Sequence, residues 1–158
     1  MDIEHIDSFH TNALKKDDLK KEWITTAFED RKNYLSEEEK TTIESKMENK
    51  DYDSVIDILK KNAGETEVDE DIKNGIGNLT LLDSETNRSY GNSLFCTKRR
   101  IIIDRIKQGV FVPVATQYIF SKFYDEKGTN RSVWAREDME AYQKYIVKML
   151  SEYLPENN

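Results

Sequence analysis

Two short stretches of this chain alternate polar and apolar side chains with the two-residue period of a strand, and a long helical segment separates them. The first is Asp2-Ile3-Glu4-His5-Ile6. The second is Asn78-Leu79-Thr80-Leu81-Leu82, announced by the turn signals Asn74-Gly75 and Gly77. Most of the remaining pattern is helical. Leu19, Trp23, Ala27 and Phe28 predict a helix over 17–35. Ser36 and Glu39 read as a capping box, with Ile43 and Met47 on one face behind it. Val55, Ile56 and Leu59 mark a third, short helix, and the acidic residues 65–71 read as a mobile loop. From Ser84 the period is helical again. Leu94, Ile101 and Arg105 share one face, Phe95, Ile102 and Ile106 the next, and Gly109 can end the helix. After Pro113, Tyr118, Ile119, Phe120, Phe123 and Tyr124 form an aromatic packing segment. A last helix is expected from Trp134 to Leu154, with Tyr142, Ile146, Met149 and Tyr153 in register.

The expected class is therefore α+β, mostly α, in one domain. A first strand (1–6) is followed by a helical insertion and acidic loop (7–74), a second strand with its helix (75–108), and a helical tail (109–158). Opening directly on a strand suggests the C-terminal part of a longer protein.

Composition narrows the function. Charged residues make up 35% of the 158, and no apolar run is long enough to span a bilayer. The single Cys96 cannot form an internal disulfide, which fits a reducing cytoplasm; its apolar-basic setting reads as a buried small hydrophobe, not a nucleophile. The net charge of −7 argues against general affinity for nucleic acid. The charge is uneven, however. Residues 1–74 carry 21 acidic and 12 basic side chains, residues 75–158 carry 10 and 12. A phosphate-facing surface is expected in the second half, where Lys98, Arg99, Arg100, Arg105 and Lys107 form the densest basic run.

The chemistry-bearing residues are Glu4-His5-Ile6, then Gly77-Asn78-Leu79-Thr80-Leu81-Leu82, then Asn87, Asn92, Phe95 and Lys98 at short spacings. Two strands and a helix, with a His on the first strand, resemble a ββα-metal nuclease site. The combination resembles the HNH (His-Me finger) domain at the C-terminus of GmrSD-like restriction proteins. Phe111-Val112-Pro113, Thr116, Phe120, Lys122, Tyr124, Trp134, Asp138 and Tyr142 resemble the tail of one branch of these proteins. The pattern Glu-His-Ile alone would mark a surface histidine; joined to the downstream motifs it points to catalysis.

The resemblance implies a bacterial, cytoplasmic, metal-dependent endonuclease that cuts DNA in restriction or anti-phage defence. It implies Mg2+ as the ion, with Mn2+ as the alternative, and no other cofactor. RNA is the alternative substrate. A non-catalytic module on the same fold, binding DNA or a partner domain, is the competing reading. The expected neighbour is an N-terminal ParB-like or nucleotide-binding domain. The implied roles are His5 as general base, Glu4 and Asn87 as metal ligands, Asn78 as support for the loop carrying His5, and Lys98 at the phosphate. Arg88, Asn92 and Arg99 join Lys98 as phosphate contacts, while Asn92 also suits a backbone bond near the helix start. These residue types suit the reaction. An imidazole titrates near neutral pH and can take a proton from water. A hard divalent ion on oxygen ligands stabilises charge developing on phosphoryl oxygens. Adjacent Glu4 and His5 leave an ideal strand on opposite faces, so the strand should end or twist there. Where many relatives place a proline after the histidine, this chain has Ile6-Asp7-Ser8-Phe9, which makes Asp7 a further ligand or a turn residue. His10 is the second, weaker candidate for the base. The pocket is expected to gather Glu4, His5, Asn78 and Asn87, with Lys98 and neighbouring arginines at its edge and the acidic segment 65–71 away from it or disordered.

Overall fold

The computed structural model describes residues 1–7, 14–86, 92–122 and 132–153. Strand β1 (Asp2–His5) and strand β2 (Leu79–Leu82) pair antiparallel, with Glu4 opposite Thr80 and His5 opposite Leu79. The second strand starts one residue later than its alternation suggested, because Asn78 closes a short 3-10 turn, Ile76–Asn78. Ile6 still bonds across through its N–H to the Asn78 carbonyl, at 2.8 Å.

Between the strands lie α1 (Asp17–Arg31), α2 (Glu37–Glu48), α3 (Tyr52–Ala63) and a single turn, α4 (Glu70–Lys73). The capping box is present: Glu39 N–H donates to Ser36 Oγ at 3.1 Å, and Ser36 N–H to Glu39 Oε2 at 2.8 Å. Each bond satisfies a donor that the first helical turn leaves without a partner. Helix α3 ends at Gly64, whose φ of 83° is the left-handed conformation that closes helices. Trp23, Ile24, Ala27, Leu35, Ile43, Val55, Ile56 and Leu59 form a core among α1, α2 and α3.

Helix α5 (Phe95–Lys107) follows the second strand, then α6 (Val114–Ser121) and α7 (Arg136–Leu150). Residues 84–86 are helical, but 92–94 are not, so the regular helix starts at Phe95 and not at Ser84. It stops before Gly109, at φ 75°, as the sequence indicated. A second core joins Ile6, Leu82, Phe95, Ile102, Phe120, Trp134, Met139 and Tyr142. The expected apolar register of the tail runs too far, since Met149 and Tyr153 are exposed. Gly77 makes α7 possible at this distance: a Cβ there would lie 2.0 Å from the Met139 carbonyl oxygen. The fold is α+β and mostly helical, with a two-stranded sheet. No helix among the described residues is long and apolar enough to cross a membrane.

Candidate active site

The centre of the site is one fully buried amide. Asn78 Oδ1 accepts from the Asp7 N–H at 2.8 Å. Its Nδ2 donates to the Asp7 carbonyl at 2.9 Å and to the Lys73 carbonyl at 2.8 Å. The side chain thus clamps the segment leaving β1 to the end of α4. Such bonds are directional, and a buried amide without them is penalised by about 1–3 kcal/mol per lost group. The close packing of Gly77 on α7 fixes the turn that presents this amide.

His5 is the last residue of β1 and half-buried, and its Nε2 lies 3.2 Å from Asn74 Oδ1. Partners in a ladder share a face. Glu4 therefore shares the face of Thr80, which is buried and bonds Thr116 Oγ1 at 3.0 Å, whereas His5 shares that of Leu79. The pleat separates carboxylate from imidazole, and the strand ends immediately after them.

Lys98 departs from its expected place at a phosphate-facing edge. It is 0% exposed, and its ammonium donates to the Ile6 carbonyl at 2.9 Å and the His5 carbonyl at 3.3 Å. The reason is geometric: the second turn of α5 passes under the end of β1, where strand pairing leaves carbonyls to be satisfied. Burial pushes the Lys98 ammonium down to about 7, opposed by the nearby charges of Asp7, Glu65 and Glu4. Glu65, placed by the sequence in a loop away from the site, is instead beside it. Burial, then the neighbouring Asp7 charge, raises its carboxyl to about 7, while the Phe95 N–H bonds it at the start of α5. Asp7 also pairs with Lys73 at 3.7 Å.

The basic run is largely engaged within the protein. Arg99 Nε donates to the Phe120 carbonyl at 2.8 Å, Arg100 Nε to Asp30 at 2.6 Å, and Arg105 lies 3.3 Å from Glu85. The Asn92 carbonyl accepts from Trp23 Nε1 at 2.9 Å, which ties the approach to α5 onto the insertion. Cys96 is half-buried against the first core, and burial raises its thiol. Asn87, Arg88 and His10 lie outside the described residues. Among the described residues no group of three or more His, Cys, Asp or Glu could hold a metal ion.

The structure therefore brings His5, Asn74, Asn78, Asp7, Lys73 and Lys98 to one junction. Asn74 and Glu65 were missed by sequence reasoning. Asn74-Gly75 carried only a turn signal, and nothing local in Glu65 marks it off from its acidic neighbours.

A family profile described as GmrSD restriction endonucleases, C-terminal domain, matches residues 15–149. The matched span contains Asn74, Asn78 and Lys98 and begins after Glu4, His5 and Asp7. No curated protein and no solved structure matches the chain. With most of its length inside that profile, the chain belongs to the family of GmrSD restriction endonuclease C-terminal domains.

Proposed function

We propose that this domain is an HNH-type (His-Me finger) endonuclease that hydrolyses DNA phosphodiester bonds in bacterial defence, with His5 as its general base. The observation that carries the reading is the junction itself. An imidazole stands at the end of a strand, its ring against an amide oxygen; a buried ammonium holds the carbonyls of His5 and Ile6, and a buried amide holds the backbone of Asp7 just beyond. Rigid support of this kind is what a base needs to meet a water in a fixed direction.

His5 takes the proton of the attacking water. Asn78 fixes the chain on both sides of the junction, and Lys98 anchors the His5 and Ile6 carbonyls from below. Glu4 and Asn87 are the proposed ligands of a divalent ion, Mg2+ first. The Glu4 carboxylate, half-buried beside Thr80, is the hard oxygen donor such an ion requires. When bound, the ion stabilises negative charge on the phosphate. The engaged arginines and the net charge of −7 support a further proposal, that a ParB-like or nucleotide-binding domain N-terminal to this one supplies most of the DNA affinity.

The separation of Glu4 from His5 by the pleat favours one competing reading, a non-catalytic module that binds DNA or a partner domain. Supercoiled plasmid incubated with the domain and Mg2+, with and without EDTA, separates the two. Nicking that EDTA abolishes, and that Glu4→Ala loses at low but regains at high metal concentration, supports the nuclease. An intact plasmid under all conditions supports the module.

A further inference from the structure

We infer that Asn74 is a positioning residue for the base: its amide oxygen holds the His5 ring in one orientation and one tautomer, so that Nδ1 takes the proton from water. The inference rests on the nuclease reading above. An amide oxygen only accepts hydrogen bonds. At 3.2 Å from Asn74 Oδ1, the Nε2 of His5 is therefore the protonated nitrogen, and a neutral imidazole then has its lone pair on Nδ1.

The position of Asn74 is itself determined. Its N–H bonds the Glu70 carbonyl at 2.9 Å, closing α4, with φ −90° and ψ 0°. The preceding carbonyl, of Lys73, is bonded by the Asn78 side chain, whose other two bonds run to Asp7, two residues beyond His5. One buried amide thus sets the distance between the two segments, and the exposed amide of Asn74 uses that distance to reach the ring. Because Asn74 is exposed and its φ is ordinary, removing its side chain leaves the turn intact.

The test uses the whole 158-residue chain labelled with nitrogen-15. It contains two histidines, so a His10→Gln variant assigns the ring signals. At a pH where both rings are neutral, His5 should show its proton on Nε2 and none on Nδ1. In Asn74→Ala both signals should move towards the averaged values of a freely exchanging ring. Plasmid cleavage by the same variant should show kcat reduced about tenfold, the worth of one such hydrogen bond, with KM and the melting temperature little changed. Asn74→Asp, which keeps an acceptor oxygen in place, should restore the ring spectrum and most of kcat. Ring signals indifferent to Asn74→Ala, or equal losses in the Ala and Asp variants, overturn the positioning role. A parent that cuts nothing overturns the nuclease reading instead, and the ring spectra still report separately on whether Asn74 fixes His5.

Discussion

The two cores of this chain are built on different terms. The core of α1, α2 and α3 is almost wholly apolar, and its buried charge, Arg31, is satisfied by Asn62 through bonds of 2.9 and 2.8 Å. The core under the sheet, α5, α6 and α7 buries polar groups throughout: Asn78, Lys98, the Thr80–Thr116 pair, and Lys122 with Asp138 at 2.8 Å. The start of helix α5 joins them, since Leu94, which caps it, belongs to the first core and its first residue, Phe95, to the second. Apolar burial stabilises without direction. Buried polar groups must find particular partners at particular distances, so they hold atoms in place. The insertion is accordingly a scaffold, and the sheet-side core is where the proposed chemistry is positioned.

The difference can be broken most forcefully at Asn78. Asn78→Ala removes the three bonds that a buried amide makes to the backbone of Asp7 and Lys73. It should cost about 4 kcal/mol in urea unfolding and abolish cleavage even where the protein remains folded. Next comes the other core: Leu59→Ala, at a fully buried position, should cost about 3 kcal/mol while the folded fraction cuts at the parent rate. Loss of turnover in folded Leu59→Ala would show that the insertion tunes the site and is not merely scaffold.

Glu65 sharpens the comparison by pH. Its folded-state carboxyl is raised from 4.5 to about 7, so between those values the folded chain holds a proton that the unfolded chain releases. The stability this group contributes is present below pH 4.5 and lost as pH rises through about 7. Glu65→Gln, fixed in the neutral form, should flatten that slope and exceed the parent by on the order of 2 kcal/mol at pH 8, with little difference at pH 4. Thermal melts across the range read this directly; parallel curves for the two proteins would place Glu65 in solvent. The smallest effect is expected at Arg105, whose partner Glu85 is 73% exposed. Arg105→Ala should change unfolding by less than about 1 kcal/mol.

Most of the scaffold was legible in the chain. Helical period, the Ser36–Glu39 box and Gly109 each act over a few residues, so local sequence announces them. The pairing of β1 with β2 was legible through motif order. Charge was not. The run Lys98 to Lys107 suggested an edge for phosphate, yet Lys98 points inward and Arg100 and Arg105 meet Asp30 and Glu85, far apart in sequence. Glu65 was hidden for the same reason, because what distinguishes it from Glu67 or Glu70 is the start of α5 above it. Asn74 read as a turn because its reach to His5 exists only once Asn78 has closed the junction.

The claim beneath all of this is that His5 removes a proton from water, and the pH dependence of cleavage by His5→Ala tests it most directly. With Mg2+ saturating, the variant should melt like the parent and cut about 10²–10⁴ times more slowly near neutral pH. Its rate should climb with pH as hydroxide takes over from the missing base. A His5→Ala protein that cuts at the parent rate across the whole range would contradict the account and move the catalytic base elsewhere in the chain.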